Sequence, residues 1–230
     1  SIEDSGVFNA GRGAVPNTAG HVETDAAVMS DHRAGAVCAV TWPANPVRAA
    51  LAVAEAADAL LLAGSGADDF ARAAGLSRRD PATLTRGGTM PLSEMGTVGA
   101  VAVDATSHLA AATSTGGRAS QPPGRVGDSP IIGAGTWAVS DGVAVSATGD
   151  GEQFVRAGFA HRIDAAVRGG VHLAEAAAGA LAAVEHWHGT GGAIVLGPGG
   201  ELVIIHDTPA MAWGRRSSGG AFAEVIVENG

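Results

Sequence analysis

Apolar residues along this chain fall into short runs separated by glycine-rich turns, and the spacing inside the runs changes along the sequence. Residues 34–42 are almost continuously apolar, with Val37 and Val40 inside the run, which predicts a buried strand. Asn45-Pro46 then reads as a helix start, with Asn as the N-cap and Pro in the first turn, and the helix is expected to reach about Ala57. A second helical stretch is expected over 67–74, with Asp68 and Asp69 near its positive end. The first region, 1–31, is rich in Gly and Asn and reads as loop with short extended pieces. Residues 75–95 have little apolar periodicity. They contain Arg78-Arg79-Asp80-Pro81, Gly87-Gly88 and Pro91, and read as an exposed, mobile connector.

Beyond Gly96 the pattern changes. Strands are predicted over 97–103 and 109–113 around a turn at 104–108, and again over 143–147. Helices are predicted over 152–168 and 171–187, divided by Gly169-Gly170. Residues 193–196 and 202–206 read as a hairpin around Gly197-Pro198-Gly199-Gly200, and 221–227 as a last strand. Strands and helices come in runs, not in strict alternation, so a layered α+β architecture is favoured over a doubly wound parallel sheet.

Composition removes several classes of function. The 230 residues, 46% hydrophobic and 16% charged, suit a folded domain with a sizeable core and not a disordered chain. With 14 basic against 23 acidic residues and no basic run, no nucleic-acid surface is expected. No apolar stretch approaches membrane-spanning length and no leader pattern opens the chain, so no membrane partner is expected and the expected compartment is the cytoplasm. Cys38, the single cysteine, has no internal disulfide partner and reads as a small buried side chain. His186-Trp187-His188 read as helix-end surface residues, since no cysteine or carboxylate cluster completes a metal site around them. Trp42, Trp137, Trp187 and Trp213 are expected in the core or at interfaces.

Four constellations can carry chemistry, each weak alone. In Met95-Gly96-Thr97-Val98-Gly99, glycine permits a strained backbone at a scissile bond, and the Thr97 hydroxyl can attack the Gly96 carbonyl. Hydrolysis of the ester would free an α-amine of pKa about 7.7–8.0, which can act as base for its own hydroxyl. Thr113-Ser114-Thr115-Gly116-Gly117 clusters hydroxyls at a strand end. Gly124-Arg125-Val126-Gly127-Asp128-Ser129-Pro130 places opposite charges three apart in a glycine-rich turn. They suit the carboxylate and ammonium of an α-amino acid, or equally a local surface pair. Ala147-Thr148-Gly149-Asp150-Gly151-Glu152 lies between a strand and a helix. Its Gly149 N–H and Thr148 hydroxyl could form an oxyanion hole, and the alternative is a turn with an acidic helix cap.

Taken together and in order, these stretches resemble the plant-type L-asparaginase/isoaspartyl peptidase family of threonine N-terminal-nucleophile hydrolases. Matching segments are Gly96 to Val101, Ala111 to Gly117, Pro123 to Ile131, Gly133-Ala134-Gly135 and Thr148 to Glu152. Phe8-Asn9-Ala10-Gly11-Arg12-Gly13 and Asp25 to Met29 match in the first half. The resemblance implies a four-layer αββα sandwich that cuts itself between Gly96 and Thr97, giving an α chain (1–96, with 75–95 as its tail) and a β chain (97–230). These units are expected to pair into an (αβ)₂ assembly. It implies Thr97 as nucleophile, Thr115 assisting it, and Thr148 with Gly149 as the oxyanion hole. It further implies Arg125 for the substrate α-carboxylate, Asp128 with the Gly151 backbone for the α-ammonium, and Asn9 supporting the nucleophile. No cofactor is implied for catalysis. A structural sodium ion is implied in a loop using the carbonyls of Ile2, Glu3, Ser5, Phe8, Ala10 and Arg12. Family members carry a glycine-rich strand and a helix upstream of that loop. The implied substrates are small: L-asparagine and β-aspartyl (isoaspartyl) dipeptides. Two rivals stay open, a glycosylasparaginase-like amidase, against which Gly116-Gly117 speaks, and an unprocessed, non-catalytic homologue.

Overall fold

The apolar run at 34–42 becomes strand β2 (Arg33–Val40), and it lies inside a sheet, not at its edge. On one side it pairs antiparallel with β1 (Thr24–Ser30), and on the other it runs parallel to the short β3 (Leu61–Ala63). The sheet continues through β5 (Leu109–Thr115) to β4 (Val98–Val103), in the order β3-β2-β1-β5-β4. The computed structural model describes residues 2–84, 96–217 and 219–227. The strand β1, seven residues long, goes beyond the loop with short extended pieces expected over 1–31. Its Thr-Asp-Ala-Ala-Val-Met-Ser sequence lacks both polar alternation and β-branched density, because a strand buried between neighbours on both sides can be filled by alanine.

Helices α2 (Pro46–Ala56) and α3 (Gly64–Ala73) cover one face of this sheet. Ala49, Ala50, Val53, Ala67 and Ala71 meet Ala26, Val37 and Val40 there. Pro46 takes the first helical turn as expected, but Asn45 does not cap the helix with its side chain. The first-turn Val47 N–H instead donates to Glu3 Oε1 at 3.1 Å, while Asn45 Nδ2 donates to Asp4 Oδ1 at 2.8 Å. The helical turn α1 (Ile2–Ser5) thus seals the start of α2. Likewise Asp68 is turned back to the sheet, where its carboxylate accepts the Thr41 and Trp42 N–H groups at 2.9 Å.

A second sheet, in the order β6-β7-β8-β9, consists of β6 (Thr136–Ala138), β7 (Ala144–Gly149), β8 (Gly191–Leu196) and β9 (Leu202–His206), all antiparallel. Its outer face is covered by α4 (Gly151–Ala157), α5 (Phe159–Arg168) and α6 (Leu173–His186), with Phe154, Phe159, Ile163, Val184 and Val195 at the centre of the cluster. The single helix expected over 152–168 is divided at Gly158, which adopts φ 57° and caps α4. That break lets the Phe154 and Phe159 rings meet at 4.6 Å. Between the sheets, Met29, Leu109 and Ala111 face Ala138, Ala144 and Leu196. Helices, sheet, sheet and helices therefore form the four-layer α+β sandwich anticipated above.

A further hairpin, β10 (Ala210–Ser217) with β11 (Gly220–Val227), follows β9. β10 was not foreseen, because Gly214-Arg215-Arg216 interrupts its apolar pattern. The connector expected to be exposed is anchored in its first part. Arg79 is buried, donates to Thr24 Oγ1 at 2.5 Å and to the Val22 and Pro43 carbonyls at 3.2 Å, and its N–H donates to the Trp42 carbonyl. The remainder of that stretch, 85–95, lies outside the described residues. Among the described residues, no helix is long and apolar enough to cross a membrane.

Candidate active site

The Thr97 end of the site is set by strand register. β4 and β5 are antiparallel with Val98 opposite Ser114, so one further residue brings Thr97 opposite Thr115. The two hydroxyls meet there, Thr97 Oγ1 donating to Thr115 Oγ1 at 3.2 Å. On the other side of β5, Thr115 is paired with Asp25 of β1, so Thr97, Thr115 and Asp25 stand abreast across three strands. Thr115 Oγ1 also accepts the Gly117 N–H at 3.0 Å, which curls the chain back under the hydroxyl pair. Asn9 holds that curl. Its Nδ2 donates to the Gly117 carbonyl at 2.6 Å, its own carbonyl accepts the Gly116 N–H at 2.7 Å, and its Oδ1 accepts the Val15 N–H at 2.9 Å. A Cβ on Gly96 would lie 3.4 Å from Asn9 Nδ2, which places Asn9 beside the Gly96–Thr97 bond.

The second sheet meets this corner from the opposite side. β4 passes β7 so closely at Gly99 that a side chain there would collide with Ser146 Oγ. Beneath the crossing is a buried hydroxyl network: Thr113 Oγ1 and Ser146 Oγ share a hydrogen bond at 2.7 Å, and Thr136 Oγ1 donates to Thr113 Oγ1 at 2.7 Å. Two residues beyond Ser146, Thr148 and Gly149 close β7. Gly149 has φ 148°, and a Cβ there would lie 2.7 Å from the Phe154 ring and would strike the Thr190 carbonyl, so only glycine fits this turn. The turn presents the Gly149 backbone and the Thr148 hydroxyl immediately before α4.

The charged end is assembled from the Gly124–Asp128 turn and the first turn of α4. Asp128 is buried against Gly151, where a Cβ would lie 2.8 Å from Asp128 Oδ1. Among the described residues its Oδ2 has no hydrogen-bond partner, and burial pushes its carboxyl up to about 7. Arg125 does not pair with Asp128. Its Nε and Nη2 donate to the two oxygens of Glu152 at 3.0 and 2.8 Å, and this guanidinium contact holds the Glu152 carboxyl down at about 2. Asp25, also buried, accepts the Ala39 N–H at 2.7 Å; burial nevertheless raises its carboxyl to about 6.

In the N-terminal loop, Ser5 Oγ donates to the Ile2 carbonyl at 2.7 Å, and the Phe8 and Ala10 carbonyls accept the Ala10 and Gly13 N–H groups. The loop packs tightly on its own backbone at Gly11 and Gly13. A Cβ on Gly11 would lie 2.8 Å from the Glu3 carbonyl, and one on Gly13 would meet the Phe8 and Gly6 carbonyls. The Glu3 and Phe8 carbonyls, two of the set the family resemblance implies, thus lie inside this loop and are neutral oxygens of the type a sodium ion takes. Among the described residues, no group of His, Cys, Asp and Glu could hold a metal.

The residues singled out from sequence therefore gather at one end of the sandwich. Thr97, Thr115, Gly96 and Asn9 touch one another, Asp128 abuts Gly151, and Thr148 with Gly149 forms the intervening turn. Glu152 and Asp25 were quoted only within motifs, and their parts in the charged end were not anticipated. The nearest signal was a carboxylate just past Gly149-Asp150-Gly151. Cys38 is buried, and burial pushes its thiol to about 12, so it is inert. His186, Trp187 and His188 are exposed at the end of α6, as expected of helix-end surface residues, so Trp187 is not in the core of this chain.

The chain matches the protein-family profile described as Asparaginase over residues 1–91 and 85–226. It is 42% identical over 241 residues to the isoaspartyl peptidase of Escherichia coli K12, covering 93% of this chain and 75% of that protein. To the isoaspartyl peptidase/L-asparaginase of Homo sapiens it is 37% identical over 238 residues, covering 95% and 77%. To the probable isoaspartyl peptidase/L-asparaginase of Drosophila melanogaster it is 35% identical over 257 residues, covering 96% and 77%.

Proposed function

This chain belongs to the asparaginase family, and from that premise we propose that it is a self-cleaving amidohydrolase acting on L-asparagine and β-aspartyl dipeptides. The observation that carries this reading is the 3.2 Å contact between the Thr97 and Thr115 hydroxyls directly after Gly96, in the same corner as the Arg125 and Asp128 charges.

Self-cleavage begins with Thr97 Oγ1 attacking the Gly96 carbonyl carbon. The C–N bond breaks as the C–O ester forms, and water then hydrolyses the ester. Gly96 leaves with a carboxylate, and Thr97 keeps both its hydroxyl and a free α-amine. At a pKa of about 7.7–8.0, that amine takes the hydroxyl proton as Oγ1 attacks the substrate's β-carbonyl. Thr115, hydrogen-bonded to Oγ1, steadies the hydroxyl during proton transfer. The developing oxyanion is received by the Gly149 N–H and the Thr148 hydroxyl. Collapse of the tetrahedral intermediate returns the proton to the departing amine, which leaves as ammonia from asparagine or as an amino acid from the dipeptide. Water, activated by the Thr97 amine, then releases L-aspartate.

Binding uses opposite charges. Arg125 donates to the substrate α-carboxylate, and Asp128 with the Gly151 carbonyl receives the α-ammonium. Because Asp128 is buried, an incoming ammonium favours its ionised form and displaces its proton. The loop at Ile2, Glu3, Ser5, Phe8, Ala10 and Arg12 holds a sodium ion in the same reading. Bound there, it would stiffen the loop next to Asn9, and none of the steps above is routed through it. Pairing of two cut units into an (αβ)₂ assembly and residence in the cytoplasm complete the proposal.

Incubation at neutral pH followed by intact-mass measurement tests it. Two fragments meeting at Gly96–Thr97, with release of aspartate from asparagine or an isoaspartyl dipeptide, are expected. A chain that stays whole and releases no aspartate would favour the non-catalytic homologue.

A further inference from the structure

We propose that Glu152 is a positioning residue: by occupying one edge of the Arg125 guanidinium it keeps Arg125 from pairing with Asp128, so that both charges remain available to a zwitterionic substrate. The inference rests on the binding roles proposed above for Arg125 and Asp128.

An arginine and an aspartate three residues apart in a glycine-containing turn are natural partners, and here each has reason to seek the other. Asp128 is buried and its Oδ2 lacks a hydrogen-bond partner among the described residues, an arrangement that an adjacent guanidinium would relieve. Only Gly127 and Val126 separate the two in sequence. A Cβ on Gly127 would lie 3.0 Å from Arg125 Nη1, so the guanidinium already passes over the backbone next to Asp128. The pair nevertheless does not form. Arg125 points its Nε and Nη2 at Glu152, across 27 residues of sequence, in the two-point geometry that fixes a guanidinium plane.

That contact uses two of the five N–H donors of Arg125 and leaves the Nη1 side for a ligand. A substrate α-carboxylate can meet this free side while its α-ammonium meets Asp128. Without Glu152, the substrate would first have to separate Arg125 from Asp128. The charged groups bearing on Asp128 are Arg125, Glu152 and Asp25. Glu152 additionally has Arg118 Nη2 at 3.9 Å on its exposed side, and Asp25 feels Glu23. Bringing Arg125 onto Asp128 would pull the Asp128 carboxyl down from about 7.

Glu152→Ala and Glu152→Gln test this, with self-cleavage as the check on folding. Expected for Glu152→Ala are KM for L-asparagine and Ki for L-aspartate raised about ten- to a hundredfold, with kcat within about threefold of wild type. The pH at which aspartate binding fails on acidification should also move below that of wild type, a change that a merely structural role would not cause. Glu152→Gln, which can still accept one hydrogen bond from Arg125, should fall between. Unchanged KM and Ki in both variants, or a loss of kcat with the acid limb of aspartate binding unmoved, overturns the proposal. A crystal structure of either variant judges it independently of turnover. Arg125 within ion-pair distance of Asp128 supports it, and Arg125 unmoved refutes it. Should the wild type hydrolyse neither substrate, the proposed function falls while this structural comparison still decides the role of Glu152.

Discussion

The nucleophile end of the site and its charged end are built from different materials. Around Thr97 the contacts are neutral: a threonine hydroxyl, a backbone N–H and a carboxamide, all placed by the register of β4 on β5 and by Asn9. Around Asp128 the groups are ionic and partly buried, and their orientation depends on a pair linking two separate segments. Neutral contacts locked by strand register hold their geometry across pH. Buried charges respond to pH and to one another. The difference teaches that the chemistry of bond cleavage and the recognition of substrate can be perturbed separately.

Thr97→Ala should break the first end completely. The chain stays whole on a denaturing gel, and kcat falls by roughly four orders of magnitude or more; retained turnover would remove Thr97 from its role. Thr148→Ala, at the turn between the two ends, should lower kcat by about a hundred- to a thousandfold with KM nearly unchanged, as loss of one oxyanion donor does. Steady-state kinetics that place the loss in KM would reassign Thr148 to binding. Arg125→Ala should act on the other end alone, raising KM about ten- to a hundredfold for a lost charge-assisted contact while self-cleavage continues.

The last effect concerns stability and not turnover. Asp128 has a carboxyl near 7 when folded and about 3.9 when unfolded. Between those values the folded state binds more protons than the unfolded one, so stability falls as pH rises from about 4 to about 7 and is level beyond. Asp25 works in the same direction. Asp128→Asn removes the ionisation penalty. It should therefore unfold later than wild type at pH 8, by an amount on the order of a few kcal/mol, and match it near pH 4. Thermal melts at the two pH values check this; equal melting at both would show that Asp128 is ionised without penalty.

The parts of the fold that could be read in the sequence are those whose signals are local. Pro46 starting α2, the apolar run of β2 and the Gly197–Gly200 hairpin each carry their cause within a few residues. The parts that escaped depend on distant partners. β1 is a strand because neighbours on both sides need it, not because its alanines favour extension. The cap on α2 comes from Glu3, 44 residues away, and the partner of Arg125 from α4, 27 residues away. In the same way the chemical motifs were visible as spacings, whereas the pairing of Arg125 with Glu152 and not with Asp128 became visible only once the Gly124–Asp128 turn and α4 stood together.

The five-stranded sheet has a consequence for the order of events in the life of the molecule. β3, β2 and β1 precede the Gly96–Thr97 bond, β5 and β4 follow it, and the seam between β1 and β5 runs from Asp25 opposite Thr115 to Met29 opposite Ala111. A cut at that bond leaves two polypeptides sharing one sheet, so nothing falls apart. Regaining the structure after denaturation, however, becomes an encounter between two molecules, with a yield and a midpoint that depend on concentration. The uncut chain needs no such encounter. The proposed self-cleavage would therefore act as a ratchet: assembly would have to be finished while the chain is still one piece, and the scission that creates the nucleophile would also remove the simplest route back from the unfolded state.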